Sequence, residues 1–275
     1  MKITARGFRR MIPSIILIFF AVPTLFPIYV MLNIGVKDFF QYTLKPLAPT
    51  LPFHWDNFSI AWTFMARSFL NNLIIISIST VAVLFLASLT AYALSRHKFP
   101  GQRFFFYFIL YVMAIPATVI LVPSFLLVVQ LGILNTLWAV ILPYAAHQSF
   151  VIIVLFTSFS QLNESMFESA RMDGAGHFTI YTRIVLPLAK PIIAAMAIFE
   201  VWWHWNDYTW PSLVLSSPNL RTVALRLITF VDGMWLPEPG QQMAANILAS
   251  LPLILLFTFS MRTFITGMTS GSVKL

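Results

Sequence analysis

Cysteine is absent, and only 9% of the 275 residues are charged. The first absence excludes disulfide frameworks and thiolate metal sites. The second excludes an ordinary water-soluble core, because soluble domains carry about a quarter charged residues. No glycine-rich loop ends in Lys-Ser or Lys-Thr, so a phosphate-binding loop of that kind is missing. The five histidines, His54, His97, His147, His177 and His204, never form a His-Glu-x-x-His zinc pair, and no nucleophile stands with a base. Gly174-Ala175-Gly176 is no dinucleotide fingerprint, since no strand pattern precedes it. The expectation is a chain with no catalytic residues and no bound cofactor or metal of its own.

What the chain has instead is apolar length, with 59% hydrophobic residues arriving in long blocks. About 20 apolar residues in a helix cross the hydrocarbon layer. Six stretches qualify, at about 12–33, 69–94, 104–129, 133–159, 188–210 and 244–265. Backbone groups in lipid must bond internally, which makes each a helix. This predicts an all-α polytopic membrane protein with six transmembrane helices in one domain over 1–275. Pro23, Pro27, Pro116, Pro123, Pro143 and Pro252 fall inside the spans and predict kinks. The basic start (Lys2, Arg6, Arg9, Arg10) and Ile15 to Phe20 resemble a signal peptide, but no small-x-small cleavage site follows. An uncleaved first span is expected.

The net charge of +8 invites a nucleic-acid reading, but the placement of the charges opposes it. Six spans put both ends on one side, and that side holds twelve of the 17 Lys and Arg. The other side holds Lys37, Lys45, Arg67, Arg221 and Arg226, balanced by Asp38, Asp56, Asp207, Asp232 and Glu238. Basic residues mark the cytoplasmic side, so both termini are expected there, with lipid rather than nucleic acid as the surroundings.

The loop from Gln161 to Pro191, between the fourth and fifth spans, differs from the rest. Asn163 can cap a helix over Glu164 to Met172, with Glu164 and Glu168 near its positive end. Asp173, Gly174 and Gly176 break it, and a second short helix can run from His177 to Ile184. The result is a cytoplasmic helix-turn-helix expected to expose Met166, Phe167, Phe178, Ile180 and Tyr181 to a partner's groove.

Glu168-Ser169-Ala170, then Asp173-Gly174-Ala175, then Ile184-Val185-Leu186-Pro187 resembles the coupling loop of ATP-binding-cassette importer permeases. That pattern is Glu-Ala-Ala, three residues, Gly, nine residues, Ile-x-Leu-Pro, and Ser169 is the one departure. The resemblance implies that residues 161–187 dock in a cleft of an ATP-binding subunit, that Glu168 pairs with a basic residue there, and that Gly174 permits the turn. It also implies two such subunits carrying ATP and Mg, a second transmembrane permease, an extracytoplasmic substrate-binding protein and a bacterial inner membrane.

Two further stretches resemble the maltose-type carbohydrate permeases, in particular their shorter, six-span subunit. Gly267, Thr269, Gly271, Val273 and Lys274 match the ending of that subunit, whose tail (here 266–275) reaches between the ATPase subunits; by composition alone it is a flexible polar tail. The run from Glu200 to Pro211 carries a Trp-Asn pair followed by Trp-Pro, as those permeases do at this point. Its aromatic faces suit sugar C–H surfaces, and His204, Asn206 and Asp207 suit hydroxyls, although Trp also marks membrane interfaces. Glu200 is an acid inside a span, and Glu200, His204 and Asp207 fall roughly on one helical face. With Trp203 and Asn206 they are candidates for the substrate path. A non-sugar cargo stays open on this evidence. So does an ion-coupled secondary transporter, although that class has no use for the coupling loop.

Overall fold

The computed structural model describes residues 5–231 and 238–269, and their regular structure is helical throughout. In order, the helices are α1 (Ala5–Gly35), α2 (Phe39–Leu44), α3 (Asp56–Arg96), α4 (Gln102–Ala114), α5 (Ala117–Gln130), α6 (Trp138–Ala146) and α7 (Ser149–Ser160). They continue as α8 (Glu164–Met172), α9 (His177–Ile180), α10 (Leu186–Leu188), α11 (Lys190–Asn206), α12 (Thr209–Val214), α13 (Val223–Val231) and α14 (Pro239–Thr269).

Among the described residues, four helical stretches are long and apolar enough to cross a membrane: Ile16–Gly35, Asp56–Arg96, Trp138–Ser160 and Pro239–Met261. Two bent pairs raise that number to six if each is one span. The stretch expected as one span at 104–129 is one of these, since α4 and α5 meet at 99°. Pro116 supplies the reason: it has no N–H to continue the ladder, and it holds Ile115 extended at ψ 124°. The fifth expected span, 188–210, is also reshaped. Residues His177–Leu188 lead into α11 at 75°, and α11 stops at Asn206 before α12 begins. α3 is the opposite case, an unbroken 41-residue helix roughly 60 Å long, twice what a bilayer core requires.

The chain forms two compact units. One comprises Met1–Ala66 with Leu227–Pro252. Its organising residue is Lys37, fully buried, whose Nζ donates to the carbonyls of Lys45 at 2.6 Å, Pro46 at 3.1 Å and Ala48 at 2.7 Å. Asn57 Nδ2 donates to the carbonyls of Gly35 and Lys37, and Gly240 packs directly on that Asn57 amide and the Lys37 carbonyl.

The other unit comprises Arg67–Arg226 with Leu253–Leu275. Small residues of α3, Ala87 and Ala91, let it approach Val151, Leu155 and Phe159 of α7 and Ala195 and Met196 of α11. A second cluster joins Val128 of α5, Val140 and Tyr144 of α6, and Trp210 and Val214 of α12. Asn71 Nδ2 donates to the carbonyls of Asn219 and Arg221, and Asn72 Oδ1 accepts the Val223 amide, fixing the chain before α13.

Candidate functional site

The segment after α7 folds from local signals. Asn163 Oδ1 accepts the Ser165 amide at 3.1 Å and starts α8. Gly174 ends the turn at φ 78°, a left-handed conformation that glycine adopts without Cβ strain. The amides of Gly174 and Ala175 close back onto the carbonyls of Arg171 and Ala170. α9 then passes into a π-helical turn, Tyr181–Val185, and α10 carries the chain to α11.

This helix-turn-helix has a sharply divided surface. Phe167, Ile180 and Tyr181, expected to face a partner, are buried against α3 and α7. Their own chain offers the apolar surface that the sequence reading assigned to another protein. The Tyr181 hydroxyl lies 2.7 Å from Ser88 Oγ, and the Tyr92 hydroxyl donates to the His177 carbonyl. Ala170, Ala175, Ile184 and Leu186 pack on the same cluster. Glu168, Ser169, Asp173, Gly174 and Pro187 face outward with Met166, Met172 and Phe178. Met172 and Phe178 are 88% and 74% exposed, which leaves a smaller apolar surface than expected but a definite one.

Arg96 at the end of α3 fastens the segment. Its Nη1 donates to Glu164 at 2.8 Å, Nη2 donates to the carbonyls of Phe159 and Leu162, and the guanidinium lies 4.1 Å over the Phe167 ring. Glu164 also takes Arg171 at 2.5 Å. Among the described residues, Glu168 has no ion-pair partner. Sequence reasoning counted Arg96 only as a topology charge. A basic residue closing a span just before the turn is the signal that was available.

A cavity of about 500 Å³ opens among α5, α6, α11 and α12. Trp203, His204, Asn206 and Asp207 line it, together with Thr118, Ser124, Tyr144, His147, Trp202, Thr209 and Trp210. Glu200 does not. It is buried, with its Oε2 3.6 Å from His204 Nε2, and supports that ring without lining the cavity. Asp207 is not on the α11 face either. The helix ends at Asn206, so Asp207 takes an extended ψ of 119° and its Oδ1 accepts the amides of Thr209 and Trp210. Its Oδ2 accepts the Tyr144 hydroxyl at 2.7 Å. Tyr144 stacks flat on His204, with centroids 4.0 Å apart and planes 12° apart. Tyr144, His147, Thr118 and Ser124 were missed from sequence; the signal was polar side chains inside otherwise apolar runs.

α14 reaches Thr269, so Gly267 and Thr269 of the expected tail lie in its last turn. Gly271, Val273 and Lys274 lie outside the described residues. Among the described residues, no three His, Asp or Glu side chains converge to hold a metal ion.

Several apolar helices, a cavity lined by aromatic and polar side chains, and a fastened helix-turn-helix with a separate outward face together define a membrane transport subunit. The chain belongs to the family of binding-protein-dependent transport system inner membrane components, whose sequence model matches residues 83–270. It is a multi-pass inner-membrane component by that membership. The probable ABC transporter permease protein YurM of Bacillus subtilis is 34% identical over 229 residues, 82% of this chain and 76% of that protein. The melibiose/raffinose/stachyose import permease protein MelC of the same organism is 32% identical over 257 residues, 90% of this chain and 91% of its own. A chain of a bacterial ABC transporter involved in the import of the acidic polysaccharide alginate shares the fold, with a TM-score of 0.84 at 23% identity, covering 96% of this chain and 99% of that one.

Proposed function

We propose that this chain forms half of the translocation path of an ATP-driven, binding-protein-dependent importer of a sugar or oligosaccharide. The observation that carries the reading is the divided helix-turn-helix. Its inner face is locked to α3 and α7, while Glu168 and the apolar Met172 and Phe178 point away from the chain. A rigidly held segment with a free acidic and apolar outer face is suited to pass a partner's movement into the helices it is fastened to.

In this reading a second permease completes the path, and two ATP-binding subunits hold ATP and Mg. Closure of those subunits moves the 161–187 segment and turns the cavity outward. An extracytoplasmic binding protein delivers the cargo, and ATP hydrolysis resets the inward state. The driving force is the differential affinity of ATP for the two conformations. Both termini face the cytoplasm, and the expected tail (Gly267, Thr269, Gly271, Val273, Lys274) reaches the ATPase pair. The cavity's exposed Trp202 and Trp203 support a carbohydrate cargo, as do the sugars in relatives' names. Likeness leaves the charge of that sugar open, because one relative is named for melibiose, raffinose and stachyose and the structural neighbour for the acidic polysaccharide alginate.

The test is Glu168→Lys in the assembled transporter. It places like charge against the basic partner expected on the ATPase, and uptake should fall about tenfold or more while the ATPase subunits stay active. Undiminished uptake refutes the pairing. Purification of the chain alone, active under an ion gradient, overturns the whole reading.

A further inference from the structure

We infer that the cavity admits uncharged sugar units and rejects uronic acids, a step that rests on the carbohydrate reading above and narrows it. None of the fifteen lining residues is Lys or Arg. The one lining carboxylate, Asp207, is held by three donors of its own wall: the Tyr144 hydroxyl and the amides of Thr209 and Trp210. No cation in the lining balances it. A second carboxyl, Glu200, sits behind the lining 3.6 Å from the His204 ring.

A sugar carboxylate entering this space leaves its water without gaining a cationic partner. An unpaired carboxylate out of water is among the costliest groups to accommodate, and it would also share the cavity with Asp207. An uncharged ring meets no such obstacle. Trp202 and Trp203 are 41% and 49% exposed and offer flat faces to C–H surfaces. Thr118, Ser124 and His147 offer hydroxyl partners. Asn206 gives its Nδ2 to the Trp202 carbonyl at 2.8 Å, leaving its amide oxygen to accept from a sugar hydroxyl. The volume of about 500 Å³ is that of a small-molecule site.

The experiment uses the complete transporter in nanodiscs without its binding protein, so that the permease alone selects. Tryptophan fluorescence is titrated with neutral trisaccharides and their uronic-acid counterparts of the same linkage, in gluco and galacto series. A pH of about 8 keeps free imidazoles neutral. The neutral member should bind at least about tenfold tighter. Equal or tighter binding of the uronides overturns the charge inference and leaves the sugar reading standing. A response to neither series overturns the sugar reading itself. Ser124→Lys adds the missing cation, and uronide binding should then rise about tenfold. No rise would show that a missing cation is not what excludes the acid.

Discussion

Arg96 and Lys37 are both cations taken almost entirely out of water, and each holds a loop, but their partners differ. Arg96 has 8% of its side chain exposed and holds a carboxylate, two carbonyls and an aromatic face. Lys37 is fully buried and holds three carbonyls, with no carboxylate. A flat guanidinium fork suits acceptors spread along the end of one helix and the start of the next. A compact ammonium suits a chain that curls around a point. The acceptors differ too. Phe159 is completely buried, and besides Arg96 its carbonyl has the Leu162 amide at 3.2 Å, whereas Lys45, Pro46 and Ala48 are exposed. The cost of removing a buried cation should therefore follow what its acceptors can find instead.

Arg96→Leu should have the largest effect. It removes the charged donor from the buried Phe159 carbonyl, which keeps only the Leu162 amide, and from the half-buried Leu162 carbonyl, and costs about 3–5 kcal/mol for two charge-assisted bonds. The complex should purify poorly, with a much lower unfolding temperature. Lys37→Met takes a donor from three carbonyls of exposed residues, of which Pro46 keeps Asn33 Nδ2 at 3.0 Å, and about 1–3 kcal/mol is expected. Thermal unfolding of the two purified variants decides the matter. A greater loss for Lys37→Met would show that solvent access of the acceptors does not set the cost.

Two glycines sharpen the same contrast. A Cβ on Gly240 would collide with the Lys37 carbonyl and the Asn57 amide, so Gly240→Ala pushes on the lysine's own cage. Overpacking of this kind costs about 1–3 kcal/mol. A Cβ on Gly174 meets nothing within 4 Å, so Gly174→Ala pays only for its φ of 78°, about 1 kcal/mol. Gly240→Ala should lower the unfolding temperature more; the reverse order would mean that the Gly174 turn is held by more than backbone geometry.

What the sequence reveals follows the range of the interaction. The Asn163 cap and the Gly174 turn depend on residues within a few positions, and both are readable. Which face of the helix-turn-helix turns inward depends on Ala87 and Ala91 of α3, which lie far from Phe167, Ile180 and Tyr181 in the chain. No local pattern says that an apolar residue is already claimed by its own chain. Asp207 was placed on the α11 face because a seven-residue spacing implies a continuous helix. The helix instead stops at Asn206, and the aspartate caps the next turn. The cavity joins Thr118, Tyr144 and Asp207, which only the packing of α5, α6 and α11 brings together.

The smallest expected effect concerns a contact of the helix-turn-helix that proton uptake near neutrality can alter. Arg96, which fastens the segment, is followed by an imidazole. His97, the next residue, lies edge-on to Tyr92 at 5.1 Å and to His177 at 4.5 Å. Burial holds its imidazole below the ordinary value of 6.5, and the neighbouring His177 and Arg171 lower it further. The unfolded chain therefore takes up this proton first as pH falls. The contribution is complete above about 6.5 and shrinks as pH drops from there toward the folded value. His97→Phe keeps an edge-on ring with no proton to gain. Between about pH 7.5 and pH 5.5, wild type should lose roughly 1 °C more in unfolding temperature than His97→Phe. Titrating groups that do not interact with His97 are common to both proteins and cancel in that difference. Equal losses would mean that the His97–His177 contact is indifferent to protonation, and that the segment's attachment rests on Arg96 and the buried aromatic residues.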